Sequence, residues 1–537
     1  MLKKYGKNLL FIVLLLFLFF CGFSLSHAAT YYVDNSGDDA NDGLSEGAPW
    51  QTIAKVNAAT FAAGGFILFQ HGDLWREELA PHNSGSTGNH ITYGAYDAQE
   101  GNMPRIYASD LLTTWEVHSG SIWKAAHTGA VVPIWFIAGD GTVTWGDPQV
   151  SIVACVNEYD WFYDSNFVYV YSPADPDTRY ASIEGGYRTR SIKKNNKNYI
   201  TIDGIECAFS KEAGIELSNA GYVEWTVQNC DIHHVGVINS SSAHGIVSRD
   251  SDSIFQNNRI WHAGTHGIYI VGPGAGATVS NVIIRDNEIW DCPHTGIDIM
   301  ATVSTSVLDN IQVYRNILYT TSAYPATVYM TGIQTAGQSG GIVSNVNIYN
   351  NLIYHGYGSG ILIADDTRDT IVANNTVYGD NGSFDGITVA EEASTITLKN
   401  NIVMEMGLNN YNVEDVTSLT AVDYNLSYHT TPEGDHQFKI GATKYSVSDF
   451  AAFKLATGFE THGVWADPKF ISVTEDYRLN AGSPAQDAGI PITGIHDQAS
   501  HTDLIGIKCP IRVNPSMGAY EYVRKVIKGK VMPGISQ

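Results

Sequence analysis

Apolar residues in the middle of this chain come in strand-length bursts, and one polar-to-apolar pattern recurs seven times. Each copy sets a polar residue, usually asparagine, two positions ahead of an aliphatic. A turn follows, then Gly-Ile and a short strand. The copies are NCDIHHVG from Asn229, NNRIWHAG from Asn257, DNEIWDCPHTG from Asp286, RNILYTTS from Arg315, NNLIYHGYG from Asn350, NNTVYGDNG from Asn374 and NNIVMEMG from Asn400. Their second positions, Cys230, Asn258, Asn287, Asn316, Asn351, Asn375 and Asn401, step by 28, 29, 29, 35, 24 and 26 residues. A period of this length without helical spacing predicts a solenoid. The strand-turn-strand unit makes it a β-helix.

One such coil cannot bury its own apolar face. Coils stacked about 4.8 Å apart complete each other's backbone hydrogen bonds. Inward positions then form files of like residues, which accounts for Ile215, Ile246, Ile268, Ile297, Ile333, Ile361 and Ile387. Asparagine tolerates left-handed turn angles, and stacked asparagines pass side-chain hydrogen bonds from rung to rung. The asparagine column is therefore structural.

The Asn-rich turns and Gly-Ile-x-Ile strands resemble the right-handed parallel β-helix superfamily of pectate lyases and related carbohydrate-active proteins. TYYVDNSGDDANDGLSEGAPWQTIAKVNAA (30–59) is similar to the opening strand and cap helix of secreted members. WADPKF (465–470), DYRLNAGSPAQDAG (476–489) and MGAYEY (517–522) are similar to their closing segment. The resemblance implies an all-β fold, a right-handed parallel β-helix with an N-terminal cap helix and a closing segment, and the short alternating strands SIWKAA, VPIWFIAG and NFVYVYS add an antiparallel β insertion. It also implies a polysaccharide partner. It does not choose among lyase, hydrolase, epimerase and non-catalytic binder.

The expected organisation is a leader over 1–28, a cap and first coils over 29–107, and an antiparallel insertion over 108–190. The coil core spans 191–416, the last coils and closing segment 417–523, and a disordered tail 524–537. The leader has Lys3, Lys4 and Lys7 before an apolar run from Leu9 to Phe20, then Ser26-His27-Ala28 as a small-x-small cleavage site. Secretion is the expectation, since Phe20 before Cys21 is too bulky for lipoprotein processing. No other stretch is long and apolar enough to span a membrane. Loss of the leader removes three lysines and no acid, taking the net charge from −24 to −27. That balance excludes nucleic acid as a partner. Five cysteines remain, without a CxxC pair, so they carry no zinc pattern; a monomer is expected. The insertion is rich in tryptophan: Trp115, Trp123, Trp135, Trp145 and Trp161 form either a sugar-stacking wall or the insertion's own core.

In a solenoid the outward faces do the binding. The residue after each inward Ile points outward, giving Glu216, Val247, Tyr269, Asp298, Gln334, Leu362 and Thr388, with Arg249 in a second column. His244, His266 and His294 lie at the edge of this face, and turns beyond it add His233, His234, His262, Asp291 and His355. An acid inside the apolar strand GIDIM has no packing reason. Asp298 with His266, Tyr269 and His244 is the candidate catalytic set, and Arg249, Gln334 and His294 the substrate-binding set. A lyase reading takes His266 or Tyr269 as base or acid, Arg249 on a uronate carboxylate and Asp298 as the orienting or catalytic carboxylate. A glycoside hydrolase needs two carboxyls about 5–9.5 Å apart, and Glu216 is three rungs from Asp298. A glycan-binding surface without catalysis is the third class. Separately, Asp38, Asp39 and Asp42 in SGDDANDG offer the oxygen-rich loop a calcium ion takes, a solvated acidic turn being the alternative.

Overall fold

The computed structural model describes residues 28–97, 103–217, 223–321, 330–356, 358–380, 384–431, 437–474, 476–496, 501–509 and 514–522. The expected leader, apart from Ala28, and the expected tail lie outside the described residues. Three long sheets of parallel strands run the length of the molecule. Sheet 1 begins at Thr30–Val33 and ends at Leu419–Asp423; sheet 2 begins at Leu74–Trp75 and ends at Val464–Trp465. Sheet 3 begins at Arg190–Lys193 and continues through Ala213–Leu217, His244–Ser248, His266–Val271, His294–Ala301 and Met330–Gly337.

Residues one period apart are now direct neighbours. Ile215, Ile246, Ile268, Ile297, Ile333, Ile361 and Ile387 pair in sequence across adjacent strands of sheet 3, and all are fully buried. The first residue of each repeat copy takes φ of 54–58°, a left-handed angle that turns the chain from sheet 1 into sheet 2. The second residue builds a continuous ladder. Nδ2 of Asn258, Asn287, Asn316, Asn351, Asn375 and Asn401 each donates to Oδ1 of the next member at 3.0 Å. The ladder ends where Asn425 donates to Glu460 Oε1 at 2.7 Å. Buried amides are thus satisfied inside an otherwise apolar core.

The glycine before each inward Ile answers a steric demand. A Cβ on Gly267 would stand 2.5 Å from Ile289 Cγ2 and 2.6 Å from the Gly296 carbonyl oxygen, and Gly245 and Gly332 meet the next coil as closely. Only glycine lets the coils approach at this bend.

The cap helix is short. It runs Ile53–Ala58, with Thr52 Oγ1 accepting from the Lys55 N–H, and ends where the Ala59 N–H bonds back to Lys55 and Val56. The insertion is antiparallel as expected: Glu116–Ser119, Ile122–Ala126, Phe167–Tyr171 and Asp160–Asp164 lie side by side, and Ile134–Ile137 pairs with Val143–Trp145 and Ser182–Gly186. Its tryptophans pack; they do not form a wall. Trp115 and Trp161 belong to the insertion's own core, and Trp135 is wedged against Ala208 and Phe209 of the solenoid.

The C-terminal end differs from expectation in one respect. Helix Phe450–Thr457 plugs the last coil, with Phe453 and Trp465 against Phe438. Beyond Trp465 the closing segment runs back along the outside. Tyr477 and Met517 pack with Leu352 and Ile402 of sheet 2, and Ile492 and Ile495 pack with Tyr349 and Ala373 of sheet 1. No helix among the described residues is long and apolar enough to cross a membrane.

Candidate functional site

The outer face of sheet 3 brings the sequence-selected residues together. Val247, Tyr269, Asp298 and Gln334 occupy one outward row at matched register on four successive strands. Beside them, His244 and His266 are paired at the edge, followed by Thr295. His294 falls one position earlier, opposite Met330, on a bend with φ 98° that leaves its side chain exposed.

Aromatic rings knit this corner. His266 stacks on Tyr269 with centroids 4.8 Å apart, His244 lies 4.9 Å from Tyr269 and 5.1 Å from His266, and His294 meets His266 edge-on at 4.9 Å. His266 Nδ1 is 3.4 Å from Asp298 Oδ2. Asp298 is 0% exposed, and neither carboxyl oxygen receives a well-formed hydrogen bond from a described residue. Burial raises its pKa to about 8, which the Ile299 backbone N–H offsets only in part. Burial, together with the neighbouring His244 and His294, lowers His266 to about 2. Burial also lowers His244 to about 4 and, aided by the Asp298 charge and opposed by Arg249, raises Tyr269 to about 12. At neutral pH the corner is therefore a set of uncharged proton donors and acceptors, with the Arg249 cation acting on Tyr269 from the second outward column. Gln334 is nearly buried beside Asp298.

Other selected residues lie elsewhere. Glu216 is paired with Arg190 and is engaged there, three rungs from Asp298. The turn histidines form a second row at the bend between sheets 2 and 3. Glu206 Oε1 accepts from Tyr107 Oη at 2.7 Å and lies 3.3 Å from His233 Nε2. His233 then meets His234 at 2.8 Å, His234 meets His262 at 3.0 Å, and His262 lies 3.6 Å from Asp291. Trp145 of the insertion covers His234 and His262 with centroids 5.1 and 5.5 Å away. His355 stands apart, paired with Asp380 at 3.4 Å.

The acidic loop does not gather its carboxylates. Asp38 accepts from Ala40 N–H, Asp42 from Leu44 N–H, and Asp39 from both backbone and hydroxyl of Thr52. Each is a turn or cap acceptor.

Sequence reasoning passed over a stack on the outer face of sheet 2. Trp261, Trp290, Tyr319 and Tyr354 lie face to face at 4.8, 5.7 and 4.9 Å, three residues after each ladder position. Their faces cover one another, so the stack packs and offers no ring face to a sugar. A cavity of about 360 Å³ beside it, lined by Glu288, Tyr354, Asp476 and Arg478, is on a different face from the histidine corner.

Comparison with known proteins agrees with this architecture. A family model described as right handed beta helix region matches residues 179–331. The lacto-N-biosidase of Bifidobacterium longum subsp. longum is 41% identical over 83 residues, which is 14% of this chain and only 5% of that enzyme. The solved structure of XylC with xylose superposes with a TM-score of 0.57 at 14% identity, covering 92% of this chain and 98% of that one. The GH136 lacto-N-biosidase from Eubacterium ramulus gives a TM-score of 0.46 at 16% identity, over 78% of this chain and 67% of that one. Stacked coils, one inward isoleucine file and the likeness to XylC along 92% of the chain show the right-handed parallel β-helix fold, and residues 179–331 match the model of a right handed beta helix region.

Proposed function

We propose that the protein is an exported polysaccharide lyase that cleaves a uronate-containing glycan by β-elimination on the outer face of sheet 3, acting as a monomer. The carrying observation is the convergence of His244, His266 and Tyr269, whose ring centroids lie within about 5 Å of one another, with the Asp298 carboxyl 3.4 Å from His266. A surface that only binds glycan has no need to bury a poorly satisfied carboxyl against an imidazole that is itself stacked on a phenol.

The roles follow from the geometry. Arg249 pairs with the uronate carboxylate and so acidifies the proton on carbon 5. His244, the imidazole not committed to Asp298, takes that proton. The electron pair forms the C4–C5 double bond, the C4–O bond breaks, and the Tyr269 hydroxyl gives its proton to the leaving oxygen. The products are an unsaturated uronate and a new reducing end. His266 holds the Tyr269 ring by stacking on it, and Asp298 in turn lies against His266.

A hydrolase is the second reading, favoured by the identity to a lacto-N-biosidase and by the raised pKa of the Asp298 carboxyl, which makes it a proton donor. It ranks lower because Glu216, the only other acid in that row up to Gln334, is engaged by Arg190. The test is incubation with a panel of uronate and neutral glycans. Ultraviolet-absorbing unsaturated products support elimination; reducing ends without that absorbance overturn it in favour of hydrolysis.

A further inference from the structure

We infer that His266, His294 and Asp298 form a binding site for one divalent transition metal ion of the zinc type. The inference concerns the face used by the proposed elimination, and it stands or falls separately from it. One ligand atom from each of the three residues lies within 4.8 Å of the other two. In a tetrahedral site with Zn–N and Zn–O bonds of about 2.0–2.2 Å, ligand atoms stand roughly 3.3–3.5 Å apart. The edge from His266 Nδ1 to Asp298 Oδ2 already measures 3.4 Å. The remaining contraction falls on His294, which sits on a bend and is the exposed member of the three.

An independent observation points to a cation. Both oxygens of Asp298, and Nδ1 of His266, are buried without a well-formed hydrogen bond from the described residues, the Ile299 backbone N–H and the 3.4 Å approach of the two groups to each other being all that faces them. Buried acceptors this poorly satisfied are rare, and a buried carboxyl ionises only where a positive charge faces it. A metal supplies that charge and takes up the lone pairs of both residues at once. His294 Nδ1 lies 3.1 Å from the Thr295 hydroxyl, which leaves Nε2 as the ligating atom and orients the ring as outer-shell partners do. Two imidazoles and one carboxylate suit zinc or cobalt, whereas calcium requires six to eight oxygens. Three protein ligands leave a coordination position open, and its occupant would be water or an anionic oxygen of a substrate.

The test is cobalt titration of the full chain after treatment with chelator, read by visible absorption and by calorimetric stoichiometry. The other described histidine–cysteine group, His496, His501 and Cys509, is identified by a thiolate-to-cobalt band and silenced by Cys509→Ser. The expected result is one equivalent of cobalt without that band, displaced by zinc. Asp298→Asn and His294→Ala each weaken it at least tenfold, while His355→Ala leaves it unchanged. Asp298→Asn keeps the side-chain shape and removes the ionisable carboxyl, so its fold is verified by a melting curve, which zinc should shift in the parent and not in the variant. Absence of binding in the parent, or undiminished binding in both variants, overturns the site. Cobalt binding in a protein that eliminates no uronate upholds the site and overturns the lyase reading; elimination without cobalt binding does the reverse.

Discussion

Replacing Asn316 by alanine tests the asparagine ladder at its middle. Asn316 is fully buried. Its Oδ1 accepts from Asn287 N at 3.1 Å and from Asn287 Nδ2 at 3.0 Å. Its Nδ2 donates to Ile284 O at 3.0 Å, Tyr314 O at 3.2 Å and Asn351 Oδ1 at 3.0 Å. Alanine deletes all five contacts. Most partners keep another bond: Asn287 Nδ2 still reaches Phe255 O, and Asn351 Oδ1 still accepts from the Asn316 backbone. The Asn287 N–H is left without its acceptor in a dry interior. An orphaned buried donor costs about 1–3 kcal/mol, and each further net hydrogen bond contributes about 0.5–1.5. The sum, reduced for the side-chain entropy that asparagine no longer loses, is about 3–5 kcal/mol. Urea unfolding followed by far-ultraviolet circular dichroism reads it as a lowered midpoint at unchanged slope. The double variant Asn316→Ala with Asn351→Ala should lose less than the sum of the singles, because the two share one bond. A loss below about 1 kcal/mol for Asn316→Ala, or strict additivity in the pair, would refute the claim that the ladder is a coupled stabilising element.

Glu460, buried at the ladder's end, has its pKa raised to about 8 by burial. Between the ordinary glutamate value and 8 the folded state holds a proton that the unfolded state has released, so stability falls as pH rises through that window. Melting temperatures between pH 5 and pH 9 should show this fall, and Glu460→Gln should flatten it. Gly267→Ala places a methyl against Ile289 and the Gly296 carbonyl oxygen. Neither can retreat far, so the urea midpoint should drop by an amount worth about 3 kcal/mol; an unchanged midpoint would mean the coils are less closely packed than described. Tyr269→Phe should lower kcat on the uronate glycan by roughly 100-fold or more with KM nearly unchanged, whereas Arg249→Ala should raise KM as well. Equal activity in both variants would remove Tyr269 and Arg249 from the reaction.

The features legible in the sequence were those that repeat. The isoleucine file and the asparagine column could be read because each coil imposes the same steric and hydrogen-bonding demand on the same position, so period alone reveals them. Asp298 was legible for the opposite reason, as a break in the apolar run of GIDIM. What period cannot show is where an oxygen points. Asp38, Asp39 and Asp42 have the spacing of a cation loop, yet Asp39 turns to Thr52, thirteen residues on, because the helix start needs an acceptor there. The tryptophans of the insertion likewise depended on which elements fold over them: Trp135 found Phe209 and Trp145 found two histidines of the solenoid. The complete burial of Asp298 belongs to the same class. Its place in the outward row follows from alternation, but alternation does not show that it is fully buried, with His266 of the neighbouring coil 3.4 Å from its carboxyl and stacked in turn on Tyr269. Burying an acid in this way changes its chemistry from a solvated charge to a group that must hold a proton or face a cation, and that choice is what the cobalt titration decides.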